Sequence, residues 1–208
     1  MSLRTTEQTL RLVRETLETA RLGFRDLKAI SARRHSGLRN LVVFGRAVTN
    51  VLQNLRSTES GFDAWYQPFV EEMKKDHLIK FFYDLRSRIL KQGDLGVSNY
   101  THIKSFSFPV DMAKFGPPPP NARNFFIGDS TGGTGWEVEV SPGEVEKYYL
   151  DLPSEIGVSG LYFRDAPGLA EKDQVSDADA IALSEHYIGY LERIVASAEA
   201  HFGAKANV

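Results

Sequence analysis

The sequence contains no cysteine and no long hydrophobic run. Without cysteine there is no disulfide, thiol nucleophile or cysteine-ligated zinc, a pattern compatible with a reducing, intracellular compartment. The longest purely aliphatic or aromatic run is Leu41 to Phe44, whereas a transmembrane helix needs about 20 apolar residues. We therefore expect a cytoplasmic protein with no signal peptide and no membrane partner.

Recognisable metal and catalytic motifs are also missing. The five histidines are isolated, and no two of them have metal-ligand spacing. There is no Gly-x-Ser-x-Gly motif, so serine hydrolase chemistry has no support. The glycine-rich segment 128–135 lacks the Gly-Lys-Ser/Thr ending of a phosphate loop and precedes a strand pattern, so it is predicted to be a hairpin loop. We predict no metal and no cofactor.

The composition indicates an ordinary folded domain. The chain has 208 residues, of which 42% are hydrophobic and 25% charged, and this length is typical of one domain with a sizeable core. The pattern predicts a single domain over 1–208. It consists of helices in 1–93 and 170–208 and a β-rich insertion at about 97–168.

Helical periodicity dominates the first part. Apolar residues at steps of three and four predict helices over 5–30 and from Leu38 to about Arg56, followed by a short one from Ala64 to about Lys75 that Asp63 caps. Thr5 and Gln8 form a capping box for the first helix. Gly45 lies in the apolar seam of the second helix, where we expect another helix to approach closely.

The helix predicted over 77–91 carries the clearest apolar stripe. Its members recur at steps of four, three and four and should be buried: Leu78, Phe82, Leu85 and Ile89. Asp76 is predicted to cap its start and Gly93 its end. Arg86 falls at the edge of the stripe, while Asp84 and Arg88 are expected to pair with each other.

After Gly93, an alternation of apolar and polar residues replaces the helical periodicity. The pattern predicts a strand over 136–140, a hairpin partner at 125–127, and a further strand through 148–150 after the Pro142-Gly143 turn. Weaker strand candidates are 102–108 and 160–163. A last helix follows, with its cap in the segment 176–179. The predicted fold class is therefore mainly α, a roughly four-helix antiparallel bundle with a small antiparallel β insertion before the last helix.

The net charge of −2 conceals an uneven distribution. Residues 1–56 carry 11 Lys/Arg against 4 Asp/Glu, 57–94 carry 6 against 7, and 95–208 carry 8 against 16. Such asymmetry indicates either an anionic partner for the N-terminal part or two halves that attract each other. A basic flank of the first helix is either a candidate nucleic-acid surface or an ordinary solvated face, and it consists of Arg4, Arg11, Arg14, Arg21, Arg25 and Lys28. The candidate binding residues within it are Arg11, Arg14, Arg21 and Arg25.

The segment 84–93 contains Arg86-Ser87, and here it resembles the late helix of the HEPN (higher eukaryotes and prokaryotes nucleotide-binding) superfamily. In that family an Arg and a polar residue are followed, four to six positions later, by a His. The resemblance implies a helical bundle that often dimerises through this helix, and active members cut RNA without a metal. In this chain residues 90–93 are Leu-Lys-Gln-Gly, so the His is missing.

The missing histidine decides the functional prediction. Metal-free RNA cleavage needs a group with a near-neutral pKa, which histidine supplies and an exposed lysine does not. We therefore predict a non-catalytic protein that forms a homodimer through the 77–91 helix or binds a protein partner, with Arg86 and Ser87 as binding residues. One alternative is a metal-independent ribonuclease that uses Arg86 with Lys91 or Tyr83. Another is an RNA-, nucleotide- or nucleic-acid-binding protein that uses the basic flank.

Overall fold

The computed structural model describes residues 4–29, 32–167 and 178–203. Within these ranges, the α-helices are α1 (Thr6–Lys28), α2 (Arg34–Leu52), α3 (Phe62–Lys75), α4 (His77–Gln92) and α5 (Ala180–Ala198). The strands are β1 (Val97–Ile103), β2 (Ala122–Ile127), β3 (Thr134–Ser141), β4 (Glu144–Leu150) and β5 (Gly157–Phe163). Short 3₁₀ turns occupy Gln53–Ser57 and Val110–Phe115, and a π turn over Glu199–Gly203 extends α5.

Local hydrogen bonds define several helix ends, as predicted. The capping box of α1 is formed, because Thr5 Oγ1 accepts from the Gln8 amide at 3.2 Å and Gln8 Oε1 accepts from the Thr5 amide at 3.0 Å. Asp76 Oδ1 accepts from the amides of Leu78 and Ile79 in the first turn of α4, at 2.8 and 3.1 Å. Gly93 ends α4 with φ of 73°, a left-handed conformation that glycine adopts without steric cost. Asp179 caps α5 in the same way as Asp76 caps α4.

Helices α1 and α2 are antiparallel and cross with backbone in contact. A Cβ at Gly23 would lie 2.6 Å from the Gly37 carbonyl oxygen and 2.6 Å from the Leu41 nitrogen, and a Cβ at Gly37 would meet the Gly23 carbonyl and the Leu27 nitrogen at 2.7 Å. Only glycine permits such an approach. The predicted close approach at Gly45 is also present, since its neighbour is the Tyr187 ring of α5, 2.7 Å from the position of a Cβ.

The predicted fold class is wrong, because the protein is an α+β fold. Of the described residues, 57% are helical and 19% lie in strands, and these strands form two antiparallel sheets, one pairing β1 with β5 and the other ordered β2-β3-β4. The two-stranded sheet belongs to the main core. Leu161 and Phe163 of β5 are fully buried, and the Phe163 ring packs edge-on against Phe81 and Phe82 of α4, with centroids 5.1 and 5.7 Å apart. The strands therefore share one hydrophobic core with the helices.

The three-stranded sheet confirms the predicted hairpin. Strands β2 and β3 pair across the loop 128–133, the first part of the glycine-rich segment, and β3 and β4 pair across the Pro142-Gly143 turn. Asp129 organises the loop, because its Oδ1 accepts from Thr131 and Gly133 and its Oδ2 accepts from Lys147 and Tyr149. Burial raises the pKa of Asp129, but these hydrogen bonds outweigh burial and hold the pKa well below its usual range.

A buried arginine attaches this loop to the helices. Arg34 lies at the start of α2, where its Nε donates to the Leu27 carbonyl at 3.1 Å and its Nη1 donates to the Thr131 carbonyl at 3.0 Å. Burial lowers the pKa of Arg34, and the nearby charges of Asp179 and Asp129 oppose that effect.

Several smaller predictions need correction. Helix α3 begins at Phe62 with Gly61 as its N-cap residue, and Asp63 instead accepts from Arg56 at 2.7 Å. The predicted strand 102–108 ends at Ile103, and its pairing begins at Val97.

On α4, Ile79 is buried together with Phe82, Leu85 and Ile89, while Leu78 is only partly buried. Arg88 pairs with Asp94 and Asp165 rather than with Asp84. Ser176 lies outside the described residues.

Candidate functional site

A cleft of about 650 Å³ opens between helices α2, α3, α4 and α5. This volume falls within the range of about 300–1,000 Å³ typical of small-molecule sites. Its lining residues are Arg46, Thr49, Gln53, Arg56, Asp63, Tyr66, Gln67, Val70, Met73, Lys74, Ile79, Lys80, Tyr83, Asp84, Tyr187, Tyr190 and Leu191. Four tyrosines and four cations are among them.

Helical spacing brings these side chains to one space. Helix α2 contributes positions 46 and 49, Gln53 follows as its C-cap residue, and α5 contributes 187, 190 and 191. Positions 46, 49 and 53 are three and four residues apart, and 190 and 191 follow 187 by three and four, so each set lies on one side of its helix. The α3 and α4 sets follow the same spacing. The cleft is therefore the meeting point of four helix faces that carry polar and aromatic residues together.

Arg46 is the cationic side chain that α2 contributes to the cleft. Its Nη1 donates a short hydrogen bond to Thr49 Oγ1, and its guanidinium lies over the Tyr83 ring, 4.8 Å from the centroid. Among the described residues no carboxylate lies within ion-pair distance of it. Its positive charge is consequently balanced by a π face and a hydroxyl rather than by an acid.

Three of the four tyrosines lie deep in the cleft. Tyr66, Tyr187 and Tyr190 are buried, and burial raises the pKa of each hydroxyl. The Tyr187 ring stacks on Phe82, with centroids 4.3 Å apart. Tyr190 donates to the Phe69 carbonyl at 3.2 Å. The inner wall therefore presents neutral phenols.

The rim carries charges of both signs. Arg56 pairs with Asp63 at 2.7 Å, and Lys74 pairs with Glu71 at 3.1 Å. The remaining rim charges, Lys80 and Asp84, make no side-chain hydrogen bond or ion pair within the described part of the chain, and both are exposed. Arg46 and Lys80 thus remain available to a ligand.

Of the predicted catalytic candidates, the structure brings only Tyr83 into the cleft. Arg86 is half-buried, and its Nε is enclosed without a hydrogen-bond partner in the described residues. Lys91 is exposed in the last turn of α4. At about 100° per residue, Arg86 and Lys91 lie about 140° apart around the helix, so they do not converge on one reacting atom.

Most of the predicted basic flank is engaged by the protein itself. Arg21 pairs with Glu192 of α5 at 2.7 Å, and Arg14 pairs with Glu199 just beyond α5. Arg11 lies 3.8 Å from Glu15, and Arg25 donates to Glu18. Cations of the N-terminal half therefore meet acids of the C-terminal half, which is one of the two explanations offered for the charge asymmetry.

Sequence reasoning missed Arg46, Tyr66, Tyr187 and Tyr190. A signal for the α2 group was present, since the series Arg46, Thr49, Gln53 has the same spacing as the apolar seam. These residues form one site only when α2, α3, α4 and α5 pack together, so no single stretch of the sequence reveals the site.

The described residues contain neither a candidate metal cluster nor a candidate membrane-spanning helix. No group of three or more His, Asp or Glu side chains is placed to hold a metal ion there. None of the described helices combines the length and the apolar character needed to cross a membrane.

Comparison with known proteins finds one similarity. Residues 35–107, about a third of the chain, match the family described as bacteriophage lambda protein ea47. No curated protein and no solved structure gives a significant match. The matched segment runs from α2 through α4 into β1 and therefore includes three of the four helices that line the cleft. The chain is similar to this phage family over that segment.

Proposed function

We propose that the protein is a non-catalytic binding protein whose ligand is a small molecule held in the cleft between α2, α3, α4 and α5. The observation that carries this proposal is the combination of a 650 Å³ space with side chains of several chemical kinds. Apolar groups, buried phenols and a cation without an acidic partner converge there, as in small-molecule sites generally.

The apolar share of the cleft supports a ligand more strongly than a solvent channel. Val70, Met73, Ile79 and Leu191 present hydrocarbon to the space. Exposing such surface to water costs about 25 cal/mol per Å², and a ligand with an apolar portion recovers that free energy. Methionine adapts its shape readily, which suits a variable ligand surface.

The test is to fill the cleft and measure binding. A library of small aromatic fragments is screened by ligand-observed NMR against the native protein and against Val70→Trp. Val70 is half-buried on α3, so the larger ring occupies the space. Fragments should bind the native protein and lose their signals with Val70→Trp.

The matched control is Lys75→Trp, which adds the same ring to an exposed position of α3 outside the cleft. It should bind fragments as the native protein does. Circular dichroism verifies the fold of each variant, and Gln67→Trp, at the exposed rim, replaces Val70→Trp if that variant does not fold. Equal binding by the cleft-filling and control variants would exclude the cleft as the site.

We propose dimerisation through α4 as a second function, because a specific surface favours it. Tyr83 and Leu90 are 51% and 54% exposed, and they lie seven residues apart on one side of the helix, flanking Arg86 and Ser87. We call these four residues the α4 outer stripe. Large exposed hydrophobic side chains at helical spacing suit a helix-to-helix interface.

This proposal is tested by mass in solution. Light scattering should give twice the monomer mass of 23.3 kDa, and Leu90→Asp should reduce it to the monomer value by placing a charge in the apolar contact. Leu22→Asp is the matched control, since Leu22 is 50% exposed on α1. A monomeric native protein, or dissociation by both variants, would count against the α4 outer stripe.

A further inference from the structure

We infer that the ligand of the cleft is a small planar aromatic compound bearing an anionic group, with the anion bound by Arg46 and the ring held among the tyrosines. This inference rests on the proposed binding function and specifies its ligand class. The anion can be a phosphate, as in a mononucleotide, or a carboxylate on an aromatic ring. A carboxylate is planar and a phosphate is tetrahedral, but each presents two oxygens that an arginine binds through paired N–H donors.

The charge balance of the lining favours an anion. Its four cations exceed its two acids, Asp63 and Asp84, and Asp63 is already paired with Arg56. Arg46 is half-buried, so a charge placed against it is less screened by water than one at the exposed rim. A half-buried guanidinium with no carboxylate partner binds an anion without first breaking an ion pair.

Arg46 also retains free donors. Its one hydrogen bond within the described residues goes to Thr49 Oγ1, whereas a guanidinium has five N–H groups. The stacking on Tyr83 holds the guanidinium plane in place, which reduces the entropy lost when a ligand binds.

The buried phenols favour an aromatic ligand with acceptor atoms. Tyr187 is only 3% exposed and lines the cleft. Its hydroxyl makes no hydrogen bond within the described residues, yet its oxygen is not one of the fully enclosed unpartnered atoms, so it opens on the cleft. A ligand acceptor that reaches this hydroxyl gains a hydrogen bond. Because burial raises its pKa, the hydroxyl stays protonated and does not repel an anion.

The experiment compares charged and neutral versions of the same ring by calorimetry. One pair is AMP with adenosine, and the other is indole-3-acetate with indole-3-acetamide. In each pair that binds, the anion should bind about 10-fold more tightly or better, as expected for charge-assisted hydrogen bonds. If only AMP binds more tightly than its neutral partner, the ligand carries a phosphate. If only indole-3-acetate does so, the ligand carries a carboxylate.

Two variants locate the anion. Arg46→Gln should weaken binding of the anion by about 10-fold and leave the neutral compound nearly unchanged, so that the preference disappears. Arg39→Gln removes the same charge from an exposed position of α2 outside the cleft and should preserve the preference. The unchanged affinity for the neutral compound also shows that Arg46→Gln has kept its fold.

A wrong ligand class and a failure of the proposed binding function give different results in these experiments. If charged and neutral compounds bind equally and Val70→Trp abolishes both, the cleft is a binding site and the anionic ligand class is wrong. A preference for the anion that survives Arg46→Gln also overturns the assignment to Arg46. If none of these probes binds while aromatic fragments still bind in the cleft, the anionic ligand class is again wrong. If no fragment binds either, or if binding survives Val70→Trp, the proposed function fails and this inference with it.

Discussion

Replacing Gly23 by alanine should destabilise the protein, although alanine is the better helix former. The new Cβ would lie 2.6 Å from two backbone atoms of α2, and ordinary contact begins at 3.4 Å. Neither atom belongs to a flexible side chain, so α1 and α2 must move apart by close to an ångström. Such a separation weakens packing along the whole crossing.

The magnitude follows from two opposing effects. Overpacking in a core costs about 1–3 kcal/mol, and the upper end applies because backbone blocks the new methyl group. In the opposite direction, the higher helix propensity of alanine relative to glycine stabilises the variant by about 1 kcal/mol. The net expectation is a loss of about 2 kcal/mol in the free energy of unfolding, or a fall of about 4–8 °C in Tm for a chain of this size.

The same substitution at Gly189 supplies the matched control. Gly189 lies inside α5, and nothing lies within 4 Å of the position of a Cβ there. Only helix propensity acts, so Gly189→Ala should gain about 0.5–1 kcal/mol. Urea unfolding followed by circular dichroism measures both variants, with equal slopes required for the comparison. The reasoning is refuted if Gly23→Ala matches or exceeds the native stability.

Two further predictions concern Arg34 and Asp129, the polar residues that hold the loop 128–133 in place. Arg34→Met should lower the free energy of unfolding by about 2–4 kcal/mol, because two buried carbonyls lose their hydrogen-bond donor. In the same urea experiment, Arg33→Met at an exposed position should lower it by less than about 1 kcal/mol. Similar losses in the two variants would contradict this account. The low pKa of Asp129 stabilises the fold above the usual carboxyl pKa of 3.8, and this contribution disappears as pH falls from 3.8 towards the lower folded value. The difference in the free energy of unfolding between the native protein and Asp129→Asn should therefore be largest near neutral pH and shrink below about pH 4. If the difference is the same at every pH, ionised Asp129 does not stabilise the fold in this way.

Local chemistry made much of the secondary structure predictable. The capping box at Thr5, the Asp76 cap and the left-handed Gly93 each depend on hydrogen bonds or backbone angles within four residues. The hairpin of β2 and β3 follows from alternation on both sides of a glycine-rich loop. The failures at this level were small, such as the start of α3, where Gly61 rather than Asp63 takes the N-cap position.

The sequence by itself located the helices and the strands β2, β3 and β4, together with most of their apolar positions, because those properties repeat within a turn or a strand pair. Only the tertiary structure decided that Phe163 of β5 enters the helical core, which makes the fold α+β. It also decided that Arg46 faces Tyr83 and Tyr187 across a common cleft. These contacts join residues far apart in the chain, and their geometry depends on how closely helices pack, down to the absence of one methyl group at Gly23.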